Sequence, residues 1–188
     1  PDAVESGIFP HNIRRFGVNI TADSTFRAAK QSRNGKNAAA AAQIQHSLSF
    51  QGQLFNGLDI LEENVHFLDG NASDCDAECK RYDNEINEAG GIDIQLLGIG
   101  NNAHIGFNEP GSQFSSQTRL VLLDNNSKED ARVLFGNTEQ VPVSAITMGI
   151  DTIMQAKEVA LVAWGDHKAG VVKAAIETPF STACPASV

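Results

Sequence analysis

Asn102, His104 and Glu109 stand within eight residues of one another in the stretch GIGNNAHIGFNEPGS, residues 98–112. An imidazole exchanges protons near neutral pH, so His104 is a candidate acid/base. A carboxylate at Glu109 could orient its ring and raise its basicity. Asn102 could hold the other ring nitrogen or a ligand oxygen. Gly98 and Gly100 permit a tight turn and close approach to the backbone. From spacing alone a second account stays open, a structural turn holding a satisfied histidine.

Two further motifs compete for this stretch. Gly98-x-Gly100-x-x-Ala103 matches the dinucleotide fingerprint in form, with Asp124 at the end of the next strand as a ribose-binding acid. That reading requires a helix directly after Gly100, and Gly106, Pro110 and Gly111 oppose one. A metal site is weaker, because His104, Glu109 and an asparagine lack any standard ligand spacing, so no metal is expected.

The second chemical place is Trp164-Gly-Asp-His-Lys168. Lys168 falls in the first turn of a predicted helix, where the dipole disfavours a cation. An anion at the helix start would remove the misfit. The alternative is a solvated surface lysine. Arg132 closes the segment Ser127-Lys-Glu-Asp-Ala-Arg, which reads as a capping-box start. It pairs either with an anion or with Glu129 three residues before it.

The elements must bring these residues to one edge. Residues 92–97 and 119–124 are nearly all apolar, as expected of strands covered on both faces. Residues 158–164 read as another buried strand, and residues 64–69 as a short one. A helix is expected within residues 71–89, stopped by Gly90-Gly91. Ser144 is expected to cap a helix whose Ile146, Ile150, Ile153 and Met154 share one face. Asp166 would cap another, turning Ala169, Val172, Ala175 and Ile176 inward. Residues 38–42 favour helix. The alternation predicts an α/β fold with a mostly parallel sheet, and ligands bind beyond the carboxyl ends of such strands.

The 188 residues suffice for one domain with a sizeable core. The start, PDAVESGIFPHN, does not read as a natural beginning. One α/β domain over residues 1–188, incomplete at both ends, is therefore expected. The net charge of −9 argues against nucleic acid or an anionic membrane as partner. No apolar run is long enough for a transmembrane helix. Three cysteines, two of them four apart on a predicted helix, suit a reduced cytoplasmic protein. The sequons at Asn19, Asn71 and Asn125 read as chance matches.

From about Leu54 to Val188 the chain resembles the glucosamine-6-phosphate deaminase (isomerase) family. The resemblance rests on LEENVHFLDGN, AECKRYDNEI, GGIDIQLLGIG, AHIGFNEPGS, Ser115-Ser-Gln-Thr-Arg119, VPVSAITMGIDTIMQAKEV, GDHKA and CPAS, in that order. The related 6-phosphogluconolactonases share the glycine–histidine turn but typically lack the Phe-Asn-Glu-Pro continuation. The resemblance implies a three-layer α/β sandwich with a modified Rossmann-like, mostly parallel sheet. It implies conversion of glucosamine 6-phosphate and water to fructose 6-phosphate and ammonia, with no organic cofactor. His104 matches the residue that shuttles a proton to open the sugar ring, and Asn102 and Glu109 match its helpers. Gly100, Ala103, Arg132 and Lys168 fall at substrate-binding positions, the last two on the phosphate. The partner implied is a small phosphosugar. Self-association is compatible, since homo-oligomers occur among bacterial members.

Four departures stand out. Many members carry aspartate where this chain has Asn102. An early Gly/Ser/Thr-rich phosphate loop is not evident. The Asp-Glu-Tyr segment, whose aspartate moves the proton between sugar carbons, precedes the helix matching residues 45–55, and counting back puts Arg33 near that aspartate. Asp23 is the nearest preceding acid, with nothing to assign it. A chain lacking that base could be a sugar-phosphate-binding protein without catalysis. Finally, allosteric members place a lysine two residues after Arg119, and Val121 stands here. Ser112 and Arg119 remain, but activation by N-acetylglucosamine 6-phosphate is not expected.

Overall fold

A computed structural model of the chain describes residues 64–135 and 141–188. The expected helix over residues 38–42, Asp23, Arg33 and the segment 45–55 lie outside the described residues.

Helix α1 spans Cys75–Glu88. Asp74 caps it by accepting from the Ala77 amide at 2.9 Å. Gly90 and Gly91 end it with φ of 83° and 89°, and the Gly91 amide reaches back to the Ile86 carbonyl at 2.8 Å. Tyr82 and Ile86 pack on a core cluster of Ile92, Leu97, Ile105, Met148 and Ile153. The strand expected over residues 64–69 does not form. Side chains of α1 satisfy that backbone instead: Glu78 accepts from the Asp69 amide, and Arg81 donates to the Phe67 carbonyl at 2.9 Å.

Strand β1 (Ile94–Gly98) runs parallel to β4 (Glu158–Val162), with Leu97 opposite Leu161 and Gly98 opposite Val162. Strand β2 (Arg119–Leu122) runs antiparallel to β3 (Ser144–Thr147), with Arg119 opposite Thr147. The class is α/β as expected, and among the described residues the strands form these two separate pairs. Between β2 and β3 lies helix α2 (Asn125–Phe135), and between β3 and β4 the short α3 (Ile150–Met154). After β4 come a 3-10 turn, Asp166–Lys168, helix α4 (Ala169–Glu177), and a second 3-10 turn at Pro185–Ser187.

Several further sequence expectations need correction. Ser144 starts a strand, not a helix, because pairing with β2 satisfies residues 144–147 and leaves helix only from Ile150. Neither expected cap is used: Gly149 caps α3, and Asp166 opens the 3-10 turn that Gly165 caps, which leaves Lys168 at the N-cap of α4. At Gly149 a Cβ would sit 2.0 Å from the Ser116 carbonyl oxygen, so only glycine fits. On β2 the chain alternates: Leu120 and Leu122 face solvent while Val121 packs on Phe107, Leu123, Val141 and Ala145. Strand β4 is exposed along its whole length, and Ala169 and Ile176 of α4 are exposed while Val172 and Ala175 are half-buried.

Candidate active site

Strand β1 ends at Gly98, and the chain stays in turns until β2. No helix follows Gly100, which removes the dinucleotide reading. The loop is pinned from inside by Asn108, which is fully buried. Its amide nitrogen donates to the Ile105 and Met148 carbonyls at 2.9 and 2.8 Å, and its oxygen accepts from Arg119 at 2.8 Å. The Phe107 ring belongs to the core, and its amide donates to Thr147 Oγ1 at 3.1 Å. The Phe-Asn pair thus anchors the segment between His104 and Glu109 to β3.

His104 lies with its ring against Gly100, where a Cβ would meet ring atoms at 2.2–2.3 Å. The close approach that Gly100 permits is therefore to an imidazole. Ala103 adopts φ 67° and is buried. Its amide donates to the Gly100 carbonyl at 3.1 Å, and its carbonyl accepts from Ala186 at 3.0 Å. The C-terminal 3-10 turn so braces the residue before His104.

Asn102 and Glu109 both reach the histidine. Nδ1 of His104 is 2.8 Å from Asn102 Oδ1 and 3.4 Å from Glu109 Oε2. The Asn102 amide nitrogen donates to Glu109 Oε2 at 2.7 Å and to Asp124 Oδ2 at 3.3 Å. Ser127, buried in α2, donates its hydroxyl to Glu109 Oε1. Burial pushes the Glu109 carboxyl up, but hydrogen bonds from His104, Ser127 and Asn102 outweigh it and hold the group below its ordinary range.

Sequence reasoning left Asp124 and Ser127 out of this cluster. The Asp124 carboxylate accepts from the Ser127 amide at 2.8 Å and its carbonyl accepts from Lys128 at 3.1 Å, so Asp124 caps α2 in the place expected of Ser127. The only local signal was two capping residues at a spacing of three.

Lys168 reaches the same loop from the 3-10 turn that follows β4. Its ammonium donates to the Ile99 carbonyl at 2.9 Å, and among the described residues no carboxylate pairs with it. Arg132 is not brought into the cluster: it is exposed on α2 and pairs with Glu129 at 3.0 Å. Arg119 and Ser112 do meet, at 3.3 Å, and burial lowers the guanidinium's pKa. Among the described residues no group of three or more His, Cys, Asp and Glu could hold a metal, and no helix is long and apolar enough to cross a membrane.

An α/β chain that sets a histidine against an amide oxygen and a carboxylate in the loop after a parallel strand, with an ammonium bonded to the same loop, holds groups able to exchange protons. Residues 26–188 match the family described as glucosamine-6-phosphate isomerases/6-phosphogluconolactonase, and the chain belongs to that family. It is 53% identical over 115 residues to a glucosamine-6-phosphate deaminase of Lysinibacillus sphaericus, covering 61% of this chain and 48% of that protein. A glucosamine-6-phosphate deaminase of Shewanella loihica is 50% identical over 135 residues, covering 72% of this chain and 50% of the relative. The solved structure of a monomeric glucosamine-6-phosphate deaminase, 40% identical, superposes with a TM-score of 0.71 over 73% of this chain and 58% of that one. The chain spans about half the length of the curated relatives it matches.

Proposed function

We propose that this site serves the conversion of glucosamine 6-phosphate and water to fructose 6-phosphate and ammonia, with His104 opening the sugar ring. The observation that carries the reading is the relay from Glu109 through Asn102 to the His104 ring. Asn102 Oδ1 and the Glu109 carboxylate only accept, so Nδ1 of a neutral ring carries the hydrogen and Nε2 keeps its lone pair. Nε2 takes the proton of the anomeric hydroxyl and returns it to the ring oxygen as the bond between C1 and that oxygen breaks and the C1 carbonyl forms. The imidazolium formed in between is stabilised by Glu109 at 3.4 Å.

Lys168 is assigned to the substrate phosphate, because among the described residues its ammonium has a carbonyl and no carboxylate beside it. Arg132 would join it by leaving Glu129. That exposed pair is held by roughly 0.3–0.5 kcal/mol, so a phosphate competes readily. The base that moves the proton between sugar carbons is not assigned.

The test is incubation of the full chain with glucosamine 6-phosphate, measuring fructose 6-phosphate and ammonia. Equal amounts of both are expected, and H104Q should abolish them. Thermal stabilisation by glucosamine 6-phosphate with neither product would overturn the reading. It would favour a sugar-phosphate-binding protein without catalysis, the alternative that Arg33 raises.

A further inference from the structure

We infer that Asp124 is a positioning residue of this site: it fixes the Asn102 amide in one orientation, and that orientation fixes the tautomer of His104. The proposal rests on the functional reading above only for its kinetic arm. The two hydrogens of the Asn102 amide point at two carboxylates, Glu109 Oε2 at 2.7 Å and Asp124 Oδ2 at 3.3 Å. Carboxylates accept and do not donate, so turning the amide over would set its oxygen against both. Held this way, Oδ1 faces His104 and accepts from the backbone amide at 3.2 Å and from Nδ1 at 2.8 Å. Nδ1 is thereby the protonated nitrogen, and Nε2 is left as the base.

Asp124 is itself held at both carboxylate oxygens. Its Oδ1 accepts from the Ser127 amide at 2.8 Å, and its Oδ2 from the Asn126 side chain at 3.1 Å. It stands where β2 gives way to α2, and Ser127 on that helix holds the other oxygen of Glu109. One helix start therefore secures both acceptors that grip Asn102. Positions 102 and 124 form a donor–acceptor pair, so each residue's value depends on the other. An aspartate at 102 would face Glu109 and Asp124 with no donor between three carboxylates.

The pairing makes a prediction about sign. An asparagine in place of Asp124 can cap α2 as well as the aspartate does. Once its oxygen caps, however, its amide nitrogen faces that of Asn102, donor against donor. D124N in the natural background should lower kcat roughly fivefold, the scale of one hydrogen bond, with a smaller change in KM. In an N102D background the same D124N supplies the missing donor and should raise kcat. A residue that served only the helix would act in the same direction in both backgrounds.

The experiment is nitrogen-15 NMR of the His104 ring near neutral pH in the full chain and in D124N, N102D and the double variant, with kcat beside it. Expected are a protonated Nδ1 in the natural chain, shifted ring-nitrogen resonances in D124N, where Glu109 alone still holds the Asn102 amide, and higher kcat in the double variant than in N102D. A protonated Nε2 in the natural chain would overturn the proposal without any variant. So would a D124N ring spectrum identical to the natural one, or a D124N effect on kcat of the same sign in both backgrounds. Should N102D fail to fold, D124N and D124S give the same spectral test, since serine caps α2 but is too short to reach Asn102. The spectra need no turnover, so absence of deaminase activity leaves this proposal testable by itself.

Discussion

Replacing Gly100 with alanine should damage both catalysis and stability. A Cβ at this position would lie 2.2 Å from His104 Cε1 and 2.3 Å from Nδ1 and Nε2. Carbon contacts settle at about 3.5–4.0 Å, so the ring must retreat by roughly 1 Å or more. That movement breaks the 2.8 Å contact between Nδ1 and Asn102. A misplacement of about 1 Å costs on the order of 10²-fold in rate. For stability two effects oppose. Gly100 does not have positive φ, so alanine should gain about 0.4–1 kcal/mol by restricting the unfolded chain. Against this stand a lost hydrogen bond of about 1 kcal/mol and overpacking of about 1–3 kcal/mol. The steric terms win, and the urea midpoint should fall by an amount equivalent to about 1–3 kcal/mol. The assay is fructose 6-phosphate formation at saturating substrate beside urea denaturation. Natural kcat with a raised urea midpoint would show that the ring does not rest on Gly100, and the account of the site would fail.

E109Q should lower kcat more than it changes KM, because glutamine leaves the imidazolium without a counter-charge; an effect on KM alone would remove Glu109 from the relay. The same variant has a stability signature in acid. The Glu109 pKa is lowered on folding, so its contribution is present above the ordinary value of 4.5 and is lost as pH falls through the folded value. The natural chain should therefore lose stability below about pH 4.5 more steeply than E109Q in urea titrations, and parallel curves would refute it. K168M should abolish thermal stabilisation by glucosamine 6-phosphate while moving the unliganded Tm little, since among the described residues the ammonium's partner is one carbonyl. Undiminished stabilisation would place the phosphate elsewhere.

The parts legible in the sequence were those written locally. Asp74 before α1 and the two glycines after it mark that helix at both ends. The apolar run into Gly98 marks β1, and the rule that ligands bind past strand ends picks out the loop that holds His104. Residues 144–147 show the limit. Ile146, Ile150 and Ile153 lie on one helical face in the sequence, but pairing with β2 claims residues 144–147 for a strand. Periodicity cannot register a partner roughly 25 residues away. Strand β4 misleads in the opposite sense, since its apolar residues suggest two covered faces while its described neighbour is β1 alone.

The cluster around Glu109 shows why part of the site stayed hidden. Asp124 and Ser127 are both good caps, and the sequence does not say which begins α2. If Ser127 capped, its hydroxyl would be spent on the helix. Because Asp124 caps, that hydroxyl is released to Glu109. The same indeterminacy separates two uses of Gly98-x-Gly100. In a dinucleotide site, glycines bring backbone N–H groups to a pyrophosphate at a helix start. Here the Gly100 amide donates to the His104 carbonyl at 2.9 Å and the Ala103 amide to the Gly100 carbonyl at 3.1 Å, so neither is left to cradle a phosphate. The space that a Cβ would have taken is filled by the imidazole. The glycines report only that something must come close to the backbone. What comes close is decided by Asn108 and Phe107, which hold the loop down on β3 and turn His104 back over its own strand end.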